Sequence, residues 1–518
     1  MRPGTNSIER YKAEKDGLEI SNEIEEIAAQ HGGWETIDPG DRERLKWLGA
    51  FFRKPTPGFF MIRIRITGGQ ATSEQVRTLA EIGHRLGNGI LDITTRQQIQ
   101  LRGIKIKDVP DILKVLRNID LSSLQTGMDN VRNVITCPLA GLTPDELLDA
   151  SPVGKELTRI FLGNSDFTNL PRKFNIAISG CLENCIHAES QDVGMTPAIH
   201  NSDGAPGFNI MVGGKTSSGG MTVALPLDVF VEPGDTARLA TEIVLLFRDK
   251  GKRDQRTEAR LAFLLKDWGI EKFRACLEER WGRPLEHAQR DVRKPHHTDH
   301  LGVHPQKQPG LYSVGLHVPT GRLTSSQLIE LARLADQYGN GQIRLTTGQN
   351  AILVNIQEKG LEDLLREPLL QHFSPSPHPF FRGLVTCTGT DYCNLALIET
   401  KSIAKRLAET LAKRYPEMSD ITMHWSGCPA GCGNHLAADI GFQGARVKVG
   451  DEVLDAVSIF VGGKTGINPQ PGVKVIELLP VNMLEAFVEV IINNLDMLRK
   501  VKPDADGRII MIPAISAA

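Results

Sequence analysis

A long internal repeat constrains the fold of this sequence more than any other feature. The segment GFFMIRIRITGGQATSEQVRTLAEIGHRLGNGILDITTRQQIQLRGI, which begins at Gly58, resembles GLYSVGLHVPTGRLTSSQLIELARLADQYGNGQIRLTTGQNAILVNI, which begins at Gly310. The Thr-Thr pairs within these segments begin at Thr94 and Thr346, an offset of 252 positions (346 − 94). Two later pairs, ISGCLENC with WSGCPAGC and MVGGKT with FVGGKT, keep nearly that spacing. A period this long exceeds that of solenoids and propellers, so we predict two lobes of about 250 residues related by a pseudo-twofold axis.

Each repeat has the pattern of a strand, a helix and two further strands. In the first copy, MIRIRI at 61–66 alternates with the period of a strand, and apolar residues at helical spacing follow over 73–86. The Gly and Asn residues at 87–89 tolerate the positive φ that ends a helix, and strands are predicted over 90–94 and 98–103. Both halves carry this pattern. The predicted fold class is therefore α+β, with duplicated α/β lobes.

The charge balance argues against a nucleic-acid or anionic-membrane partner. The chain has 60 Lys and Arg residues against 62 Asp and Glu residues, a formal net charge of −2 over 518 residues. No apolar run approaches the roughly 20 residues that span a bilayer. The polar first residues lack the apolar stretch of a secretion signal. We therefore expect a cytoplasmic protein whose eight cysteines are ligands or reduced thiols rather than disulfides.

Four cysteines of the second half have the spacing of a metal centre. They form C-x5-C in TCTGTDYCN and C-x3-C in SGCPAGCGN, which gives the metal-ligand candidates Cys387, Cys393, Cys428 and Cys432. Four thiolates complete the ligand set of a [4Fe–4S] cluster, whereas C-x5-C suits a zinc site less well. Glycine and proline beside both pairs indicate backbone brought close to a bulky group. The spacing favours a metal centre, and the alternative is four cysteines packed as small apolar residues.

The first half keeps only three cysteines at the matching positions. These are Cys137, Cys181 and Cys185, and Thr143 occupies the position that matches Cys393. A second cluster would therefore lack one thiolate, and we expect the three to be remnants of the duplication or small core residues. Cys276, in the helical stretch EKFRACLEER, is expected to be structural.

These motifs together resemble those of the sulfite/nitrite reductase haemoproteins. The two cysteine motifs, the duplicated half and the segments TTRQ, VRN and LPRKFN occur in the order found in that family, and the resemblance runs over nearly the whole chain. It implies a sirohaem coupled to a [4Fe–4S] cluster, with Cys432 as the thiolate that bridges the cluster and the haem iron. It also implies ferredoxin-like half-domains beside the cofactor-binding domains. The redox chemistry would belong to the cofactors, which the protein would position.

The resemblance and the composition together divide the chain into six segments. A polar, proline-bearing stretch at 286–305 is predicted to link the two halves. We predict an N-terminal extension (1–45), a ferredoxin-like half-domain (46–125) and a sirohaem-binding α/β domain (126–285) of the first repeat, the linker (286–305), and a ferredoxin-like half-domain (306–375) and a [4Fe–4S]/sirohaem-binding domain (376–518) of the second repeat.

A basic substrate pocket is expected, because nitrite is an anion and cleavage of each N–O bond requires protons. Matching TTRQ, VRN and LPRKFN to the family places Arg96, Arg132, Lys173 and Asn175 around the distal face of the sirohaem. Taken singly, such residues are usually solvated surface groups. The repeat favours a catalytic role, since the second half has Gly348 where the first has Arg96. One active site is therefore predicted, with cations from the first half and cluster ligands from the second.

Three more cations are candidates for binding the sirohaem carboxylates. Arg65 and Arg102 lie on the flanking strands, and Lys215 lies in GGKT. GGKT occurs twice without the preceding glycine of a P-loop, so we reject a nucleotide site. No G-x-G-x-x-G follows a predicted strand either, so electrons must come from a separate carrier. The resemblance implies that this carrier is ferredoxin, and we expect the chain itself to be monomeric.

Asn175 favours nitrite over sulfite, because sulfite reductases of the family tend to have a second Lys at that position. One fewer cation suits nitrite, a monoanion, better than fully ionised sulfite, a dianion. Phe59 lies near where some sulfite-active members have a cysteine-linked tyrosine, and Ala430 replaces an Asn that many members have beside the cluster. The resemblance thus implies six-electron reduction of nitrite to ammonia. Sulfite reduction and a non-catalytic iron–sulfur or zinc sensor are the alternatives.

Overall fold

The computed structural model describes residues 6–29, 34–217, 220–295 and 298–500. The helices are α1 (Ser7–Glu14), α2 (Ile20–Ala29), α3 (Pro39–Arg44), α4 (Ser73–Arg85), α5 (Val109–Asn118), α6 (Ser151–Phe161), α7 (Pro233–Lys250), α8 (Leu261–Trp268), α9 (Ile270–Trp281), α10 (Ser325–Tyr338), α11 (Glu358–Leu365), α12 (Leu369–His372), α13 (Pro379–Arg382), α14 (Lys401–Arg414), α15 (Leu484–Asn493) and α16 (Leu495–Leu498). The strands are β1 (Ala50–Phe52), β2 (Phe60–Ile64), β3 (Gln70–Thr72), β4 (Ile90–Ile93), β5 (Ile99–Ile104), β6 (Ile135–Thr136), β7 (Ile176–Ile178), β8 (Val193–Ile199), β9 (Pro206–Val212), β10 (Lys215–Ser217), β11 (Gly220–Thr222), β12 (Leu225–Val231), β13 (Arg290–Asp291), β14 (Gly302–Pro305), β15 (Leu311–Leu316), β16 (Arg322–Thr324), β17 (Gln342–Leu345), β18 (Ala351–Gln357), β19 (Leu384–Thr386), β20 (Met423–Ser426), β21 (Ile440–Val449), β22 (Glu452–Val461) and β23 (Val473–Pro480).

Two five-stranded sheets are each completed by a strand from the other half of the chain. The first sheet has the order β1-β2-β5-β4-β16 and the second β14-β15-β18-β17-β3. β16 pairs with β4 through Arg322 and Asp92, and β3 pairs with β17 through Gln70 and Arg344. Each repeat therefore gives the other the same edge strand. This reciprocal exchange confirms the predicted duplicated α+β fold and joins the two halves by backbone hydrogen bonds.

The helices that follow the exchanged strands pack against each other. α4 begins at a capping box in which Thr72 and Gln75 satisfy each other's backbone N–H groups, and α10 repeats this arrangement with Thr324 and Gln327. Both helices bury their apolar faces in one core that is continuous with the two five-stranded sheets. The buried residues of these helices include Val76, Leu79, Ala80, Leu328, Leu331 and Ala332.

Two further sheets carry the cysteine motifs. The first has the order β12-β9-β8-β7-β6 with β13 beside β8, and the second has the order β19-β20-β21-β22-β23. β6, β7 and β8 are parallel neighbours, as are β19, β20 and β21, whereas the other pairings are antiparallel. Each sheet packs against helices around its own apolar core. Because parallel strands end at the same edge of a sheet, the loops that follow β6 and β7 lie together, and so do those after β19 and β20.

The local predictions in the first repeat are confirmed with small shifts of their boundaries. The strand predicted over 61–66 is β2, and the helix predicted over 73–86 is α4. The two following predicted strands are β4 and β5. β2 ends earlier than predicted because Arg65 leaves the sheet and forms an isolated bridge with Ser122.

The N-terminal helices pack onto the first half. Lys12 Nζ, in α1, lies 3.2 Å from Asp129 Oδ2, an ion pair in which both side chains are nearly inaccessible to solvent. Trp47 Nε1 donates to Thr168 O at 3.1 Å. The first contact attaches the predicted extension (1–45) to the domain predicted at 126–285, and the second joins the half-domain predicted at 46–125 to that same domain.

The predicted linker contributes strands to both halves. β13 pairs with β8 of the first half, and β14 pairs with β15 of the second. No helix in the described ranges is long and apolar enough to cross a bilayer. Parts of the predicted segments lie outside the described residues, at 1–5, 30–33, 218–219, 296–297 and 501–518.

Candidate active site

The four cysteines of the second half lie on two loops at one edge of a sheet. Cys387 follows β19 and Cys428 follows β20, its parallel neighbour. Gly389 and Gly431 have positive φ angles of 70° and 68° within these loops. A Cβ atom on Gly433 would lie 1.9 Å from a backbone oxygen of β20. Glycine is therefore required for both the turns and the close approach of the loops to the sheet.

The thiols of these loops influence one another's ionisation. Burial and the neighbouring Cys432 raise the pKa of Cys387, although Gly427 N–H donates to Cys387 Sγ at 3.1 Å. Burial also raises the pKa of Cys428 to about 11, with further contributions from the other three cysteines. A bound metal would stabilise the thiolate forms of these cysteines, which burial and mutual repulsion disfavour.

The spacing of the sulfur atoms distinguishes a cluster from a single ion. The ligands of one tetrahedral zinc ion lie about 3.8 Å apart, because each Zn–S bond is about 2.3 Å long. Within the described part of the chain, no three of these four sulfurs lie within 4.8 Å of one another. Each thiolate of a [4Fe–4S] cluster binds a different iron atom, which requires wider spacing. The four cysteines therefore fit an iron–sulfur cluster better than a zinc ion.

Arg102 holds the first cysteine loop against the first half. Its Nε donates to Asp92 Oδ2 at 2.9 Å, and its Nη2 donates to Thr388 Oγ1 at 2.9 Å, next to Cys387. The guanidinium also lies over the ring of Tyr392, 5.0 Å from the ring centroid. The residue is 1% exposed, and its Nη1 has no hydrogen-bond partner in the described structure.

Asp92 joins this loop to the exchanged strand β16. Arg322, in β16, donates to Asp92 Oδ1 at 2.9 Å and to Asp391 Oδ2 at 2.8 Å. Burial by itself would raise the pKa of Asp92, but Arg102, Lys401 and Arg322 lower it well below its ordinary value. The carboxylate is therefore ionised and connects strands of both halves to the loop that carries Cys387 and Cys393.

Cations of the first half face Cys432. Burial and Arg96 lower the pKa of Arg63 to about 9. Burial, Arg260 and Arg96 lower the pKa of Lys173 well below its ordinary value. A negative charge on Cys432 would raise the pKa values of Arg63, Arg96 and Lys173 and so oppose the effect of burial. The three cations are therefore close enough to Cys432 to interact with it electrostatically. No hydrogen bond or ion pair joins the charged groups of Arg96 or Lys173 to any described residue.

The protein does not neutralise the positive charge of this region. We define the cationic site as Arg53, Arg63, Arg96, Arg132 and Lys173. Burial and Arg102 lower the pKa of Arg53 to about 10, and the Nε atoms of Arg53, Arg63 and Arg132 are buried without a partner among the described residues. Unpaired buried donors of one sign indicate an anionic occupant. The residues therefore fit a tetrapyrrole with several carboxylates, such as sirohaem.

Backbone carbonyls anchor two of the predicted arginines. Arg132 donates from Nη1 to Thr126 O and from Nη2 to Met128 O. Arg65 donates from Nη1 to Arg132 O at 2.8 Å and from Nη2 to Val131 O at 3.0 Å. In each guanidinium the buried Nε has no partner within the described ranges. Arg65 thus fixes the segment that carries Arg132.

Asn175 is positioned by a buried ion pair. Its backbone N–H donates to Asp192 Oδ2 at 2.8 Å, and Asp192 accepts from Nε and Nη2 of Arg260 at 3.0 and 2.6 Å. The Asn175 side chain is buried, and its Oδ1 has no described partner. Burial and Arg260 also lower the pKa of Lys215, whose Nζ donates to the backbone of β11 at 3.2 Å.

The comparison with known proteins identifies the family. Residues 127–285 and 379–500 match the nitrite and sulphite reductase 4Fe-4S domain, and residues 52–119 and 304–370 match the nitrite/sulfite reductase ferredoxin-like half domain. The chain belongs to the nitrite and sulphite reductase family. Each family domain matches twice, once in each half, and the second 4Fe-4S match contains all four candidate cluster ligands.

Named relatives and a solved structure extend this likeness over most of the chain. The ferredoxin–nitrite reductase of Synechococcus elongatus is 49% identical over 477 residues, which cover 90% of this chain and 92% of that protein. The ferredoxin–nitrite reductase of Leptolyngbya laminosa is 42% identical over 491 residues, covering 93% and 95%. The NirA protein of Mycobacterium tuberculosis has a similar structure, with a TM-score of 0.90 at 30% identity, covering 97% and 95% of the two chains.

This nitrite and sulphite reductase family member also has a cavity lined by residues of the second repeat. Some of them occupy the positions that correspond to residues of the cationic site in the first repeat. The cavity has a volume of about 540 Å³ and is lined by Thr346, Gly348 and Arg382, among others. Gly348 takes the place of Arg96. Arg382 is neutralised by Asp299, which accepts two hydrogen bonds of 2.5 and 2.8 Å. The cavity therefore lacks a counterpart of Arg96, and the exposed Lys464 is another of the residues that line it.

Sequence reasoning missed three cations of the active-site region in this family member. Arg63 alternates with Arg65 in MIRIRI and so shares its face of the strand, a signal that could have identified it. Arg53 lies in the loop after β1, and Arg260 directly precedes α8. Neither position has a periodic pattern that could have identified it.

Proposed function

We propose that this chain is an assimilatory nitrite reductase that uses reduced ferredoxin to convert nitrite to ammonia. The observation that carries the proposal is the pair of partnerless cations, Arg96 and Lys173, that face the cluster ligand Cys432. The relatives at 42–49% identity are named ferredoxin–nitrite reductases. The reaction takes six electrons and seven protons to ammonia, or eight protons to ammonium, because nitrogen falls from oxidation state +3 to −3 and both oxygens leave as water.

The cofactors are a [4Fe–4S] cluster and a sirohaem. Cys387, Cys393, Cys428 and Cys432 would hold the cluster, and Arg53 and Arg63 of the cationic site would bind the sirohaem carboxylates. Cys432 is the exposed thiol of the four, whereas the other three are half-buried, so it is the cluster ligand most accessible to a sirohaem. When bound, the two cofactors would pass the electrons of ferredoxin to the substrate.

Arg96 and Lys173 bind the nitrite anion and stabilise the charge that develops on each departing oxygen. Lys173 Nζ is also the proton donor, because its lowered pKa brings it toward the working pH, where a general acid is most effective. Asn175, held by Asp192, presents its side-chain amide to the substrate without adding charge. Arg132 supports this group, since its two Nη atoms are held by backbone oxygens.

The seven predicted site residues outside the cluster divide into two groups. Arg96, Arg132, Lys173 and Asn175 keep their predicted role beside the substrate. Of the predicted carboxylate ligands, Arg65 and Arg102 can offer only the donors that their internal hydrogen bonds leave unused, so Arg53 and Arg63 are the stronger candidates. Lys215 stays a prediction, supported by its burial beside Arg260.

Nitrite is preferred to sulfite because Asn175 adds no positive charge to a site that is already cationic. Sulfite reduction is the second candidate and differs in needing to hold a dianion. We further propose that the protein acts as a cytoplasmic monomer without a nucleic-acid or membrane partner. The six predicted segments, from the extension at 1–45 to the domain at 376–518, describe its domain organisation.

An absorption spectrum and an ammonia assay test this proposal. The protein is purified anaerobically after expression with sirohaem biosynthesis, and its spectrum is recorded oxidised and reduced. Sirohaem bands, reoxidation on adding nitrite, and ammonia formation with reduced ferredoxin are expected, with sulfite as the comparison substrate. A protein without sirohaem would contradict the proposal and favour a non-catalytic sensor. Sirohaem with faster sulfite turnover would instead assign it as a sulfite reductase.

A further inference from the structure

The cysteine loops of the first half meet a residue of the linker. Cys137, Cys181 and Cys185 are 0%, 2% and 4% exposed, and His300 is 5% exposed. The sulfurs of Cys137 and Cys185 and a ring nitrogen of His300 all lie within 4.8 Å of one another. Cys137 Sγ is 3.8 Å from His300 Nε2. Cys181 interacts with both other thiols, but its sulfur lies more than 4.8 Å from at least one ligand atom of this group. We therefore expect the Cys181 side chain to move toward the group when it serves as the fourth ligand. The proposed reaction uses none of these side chains.

We propose that Cys137, Cys181, Cys185 and His300 bind one structural zinc ion. Three cysteines and one histidine are an established ligand set for closed, tetrahedral zinc sites. Zn–S and Zn–N bonds of about 2.3 and 2.0 Å place neighbouring ligand atoms about 3.5–3.8 Å apart. The observed distance between Cys137 Sγ and His300 Nε2 matches that spacing.

A second iron–sulfur cluster fits these residues less well. Thr143 occupies the position that corresponds to Cys393, and its hydroxyl accepts from Asp145 N at 3.3 Å. The compact spacing of three ligand atoms, those of Cys137, Cys185 and His300, also contrasts with the wider spacing of the four cysteines in the second half. The same loop architecture thus holds a cluster in one half and a single ion in the other.

The linker holds His300 in a fixed and unusual conformation. Its φ angle is 61°, a left-handed value that residues other than glycine adopt infrequently. Its backbone N–H donates to Thr298 Oγ1 at 3.0 Å. The adjacent Asp299 accepts two hydrogen bonds from Arg382. A Cβ atom on Gly315 would lie 1.7 Å from His300 O, so glycine is needed there for the linker to pass. Such backbone strain persists when the surrounding contacts over-determine the conformation, and here they hold the imidazole ring of His300 in one position.

Apolar residues surround the three thiols on one side. They belong to the same buried cluster and include Ile135, Leu139, Ala140, Ala177, Ile186 and Ile352. Cys185 and His300 also line the cavity of about 540 Å³, through which an ion could enter. The thiols lose their protons when a metal binds.

The zinc ion would join the linker to the cysteine loops of the first half. Those loops follow β6 and β7, whereas His300 directly precedes β14 of the second half. The ion therefore connects two halves that otherwise meet through the exchanged strands and the Asp92 network. Its role is structural, since all four ligand positions come from the protein and none is left for a substrate.

Metal analysis of the full-length holoprotein tests the site independently of nitrite turnover. Protein purified anaerobically and treated with a mild chelator should retain about one zinc ion per chain in addition to its iron. X-ray absorption at the zinc edge should show three sulfur neighbours at about 2.3 Å and one nitrogen neighbour at about 2.0 Å. Cobalt introduced in place of zinc should give the thiolate charge-transfer bands of a tetrahedral ion.

Two variants and one control locate the ion. Cys185→Ser and His300→Ala are expected to lower the zinc content about tenfold or more while sirohaem and cluster spectra remain. Cys276→Ser, in α9, is the matched control and should keep the zinc, because its half-buried thiol lies outside the ligand group. Should a variant fail to fold, the absorption data on the unaltered protein still decide the matter.

Four results would overturn the proposal. The first is a protein that contains no zinc although zinc was supplied, and the second is a zinc ion with four sulfur neighbours, which would place it at the cysteines of the second half. The third is a disulfide between cysteines of the first half. The fourth is enough iron and sulfide for two clusters in each chain. None of these results depends on ammonia formation, so a failure of the zinc site and a failure of the proposed reductase activity are distinguishable.

Discussion

Lys173 and Arg96 keep charged groups where the described residues give them no partner, and this has an energetic cost. Removing an isolated cation from water is unfavourable, and burial accordingly lowers the pKa of both side chains. Arg260 adds to this effect for each residue. The natural way to recover that energy is to bind an anion. Unpaired cations at a site that also faces a cluster ligand therefore point to substrate and sirohaem carboxylates rather than to folding.

Replacing Lys173 by methionine should lower kcat/KM for nitrite by about 10²-fold, the usual cost of removing a positioned transition-state donor. The side chain keeps its length and loses its charge and proton. Steady-state assays with ferredoxin measure the effect, and the sirohaem spectrum verifies that the cofactor is still bound. Lys107→Met is the control, since that side chain is 68% exposed. Full activity in Lys173→Met with bound sirohaem would exclude the assigned role.

Asn175→Lys should raise the ratio of sulfite to nitrite turnover by about tenfold. A second ammonium beside Lys173 would stabilise a dianion more than a monoanion. The measurement is kcat/KM for both substrates on one preparation. Asn175→Ala is the control, because it removes the amide without adding a charge. It should lower both activities and leave their ratio unchanged. An unchanged ratio in Asn175→Lys would remove the argument that this residue selects nitrite.

At the scale of elements, each cysteine loop depends on the strands beneath it. The loop with Cys387 and Cys393 is held by Asp92 of β4 through Arg102 of β5 and Arg322 of the exchanged strand β16. The carboxylate is 3% exposed and interacts with three cations. Removing one member of such a network leaves the other charges buried without a counter-charge. The resulting loss of folding free energy is larger than the stability that the intact network adds over apolar residues in its place.

Asp92→Asn should therefore destabilise the protein by about 3 kcal/mol at pH 7 and reduce cluster retention. The pKa of Asp92 is lowered in the folded state, so its contribution is complete above its unfolded pKa of about 3.9 and falls as the pH drops further. The difference between wild type and variant, measured by thermal unfolding, should shrink below about pH 4. Asp363→Asn is the control, because its ion pair is largely exposed and should have little effect. A difference that grows at acid pH would contradict the assignment.

The elements were predictable from the sequence where they are long and periodic. α4 and β2 follow directly from the apolar spacing over 61–86, and two short motifs indicate the cysteines that we propose as cluster ligands. The exchanged strands β3 and β16 have only three residues each and no period of their own, so their pairing depends on the other half being present. The separate roles of Arg63 and Arg65 were unpredictable for a similar reason. They share a strand face, and a distant segment distinguishes them by the number of its backbone oxygens that each guanidinium contacts, one for Arg63 and four for Arg65.

At the scale of the whole molecule, the exchange makes the two repeats depend on each other. β4 lacks its outer neighbour without β16, β3 lacks its only neighbour without β17, and α4 loses the apolar face of α10. Their buried residues belong to one core that spans both halves. The cysteine domain of the first half, by contrast, has a core of its own. The units that unfold cooperatively should therefore correspond to these cores and not to the two sequence repeats.

A fragment of residues 1–300 should keep the first cysteine domain folded and lose the order of α4 and β4. Hydrogen–deuterium exchange should show slow exchange in β8 and β9 and fast exchange over residues 73–93, because unpaired edge strands and uncovered apolar faces open readily. A fragment of residues 1–375 is the control: it restores β14 to β18, completes both five-stranded sheets and should protect α4 and β4. Equal protection of α4 in the two fragments would mean that the first half folds alone. The exchanged strands would then join two independent domains instead of building one shared core.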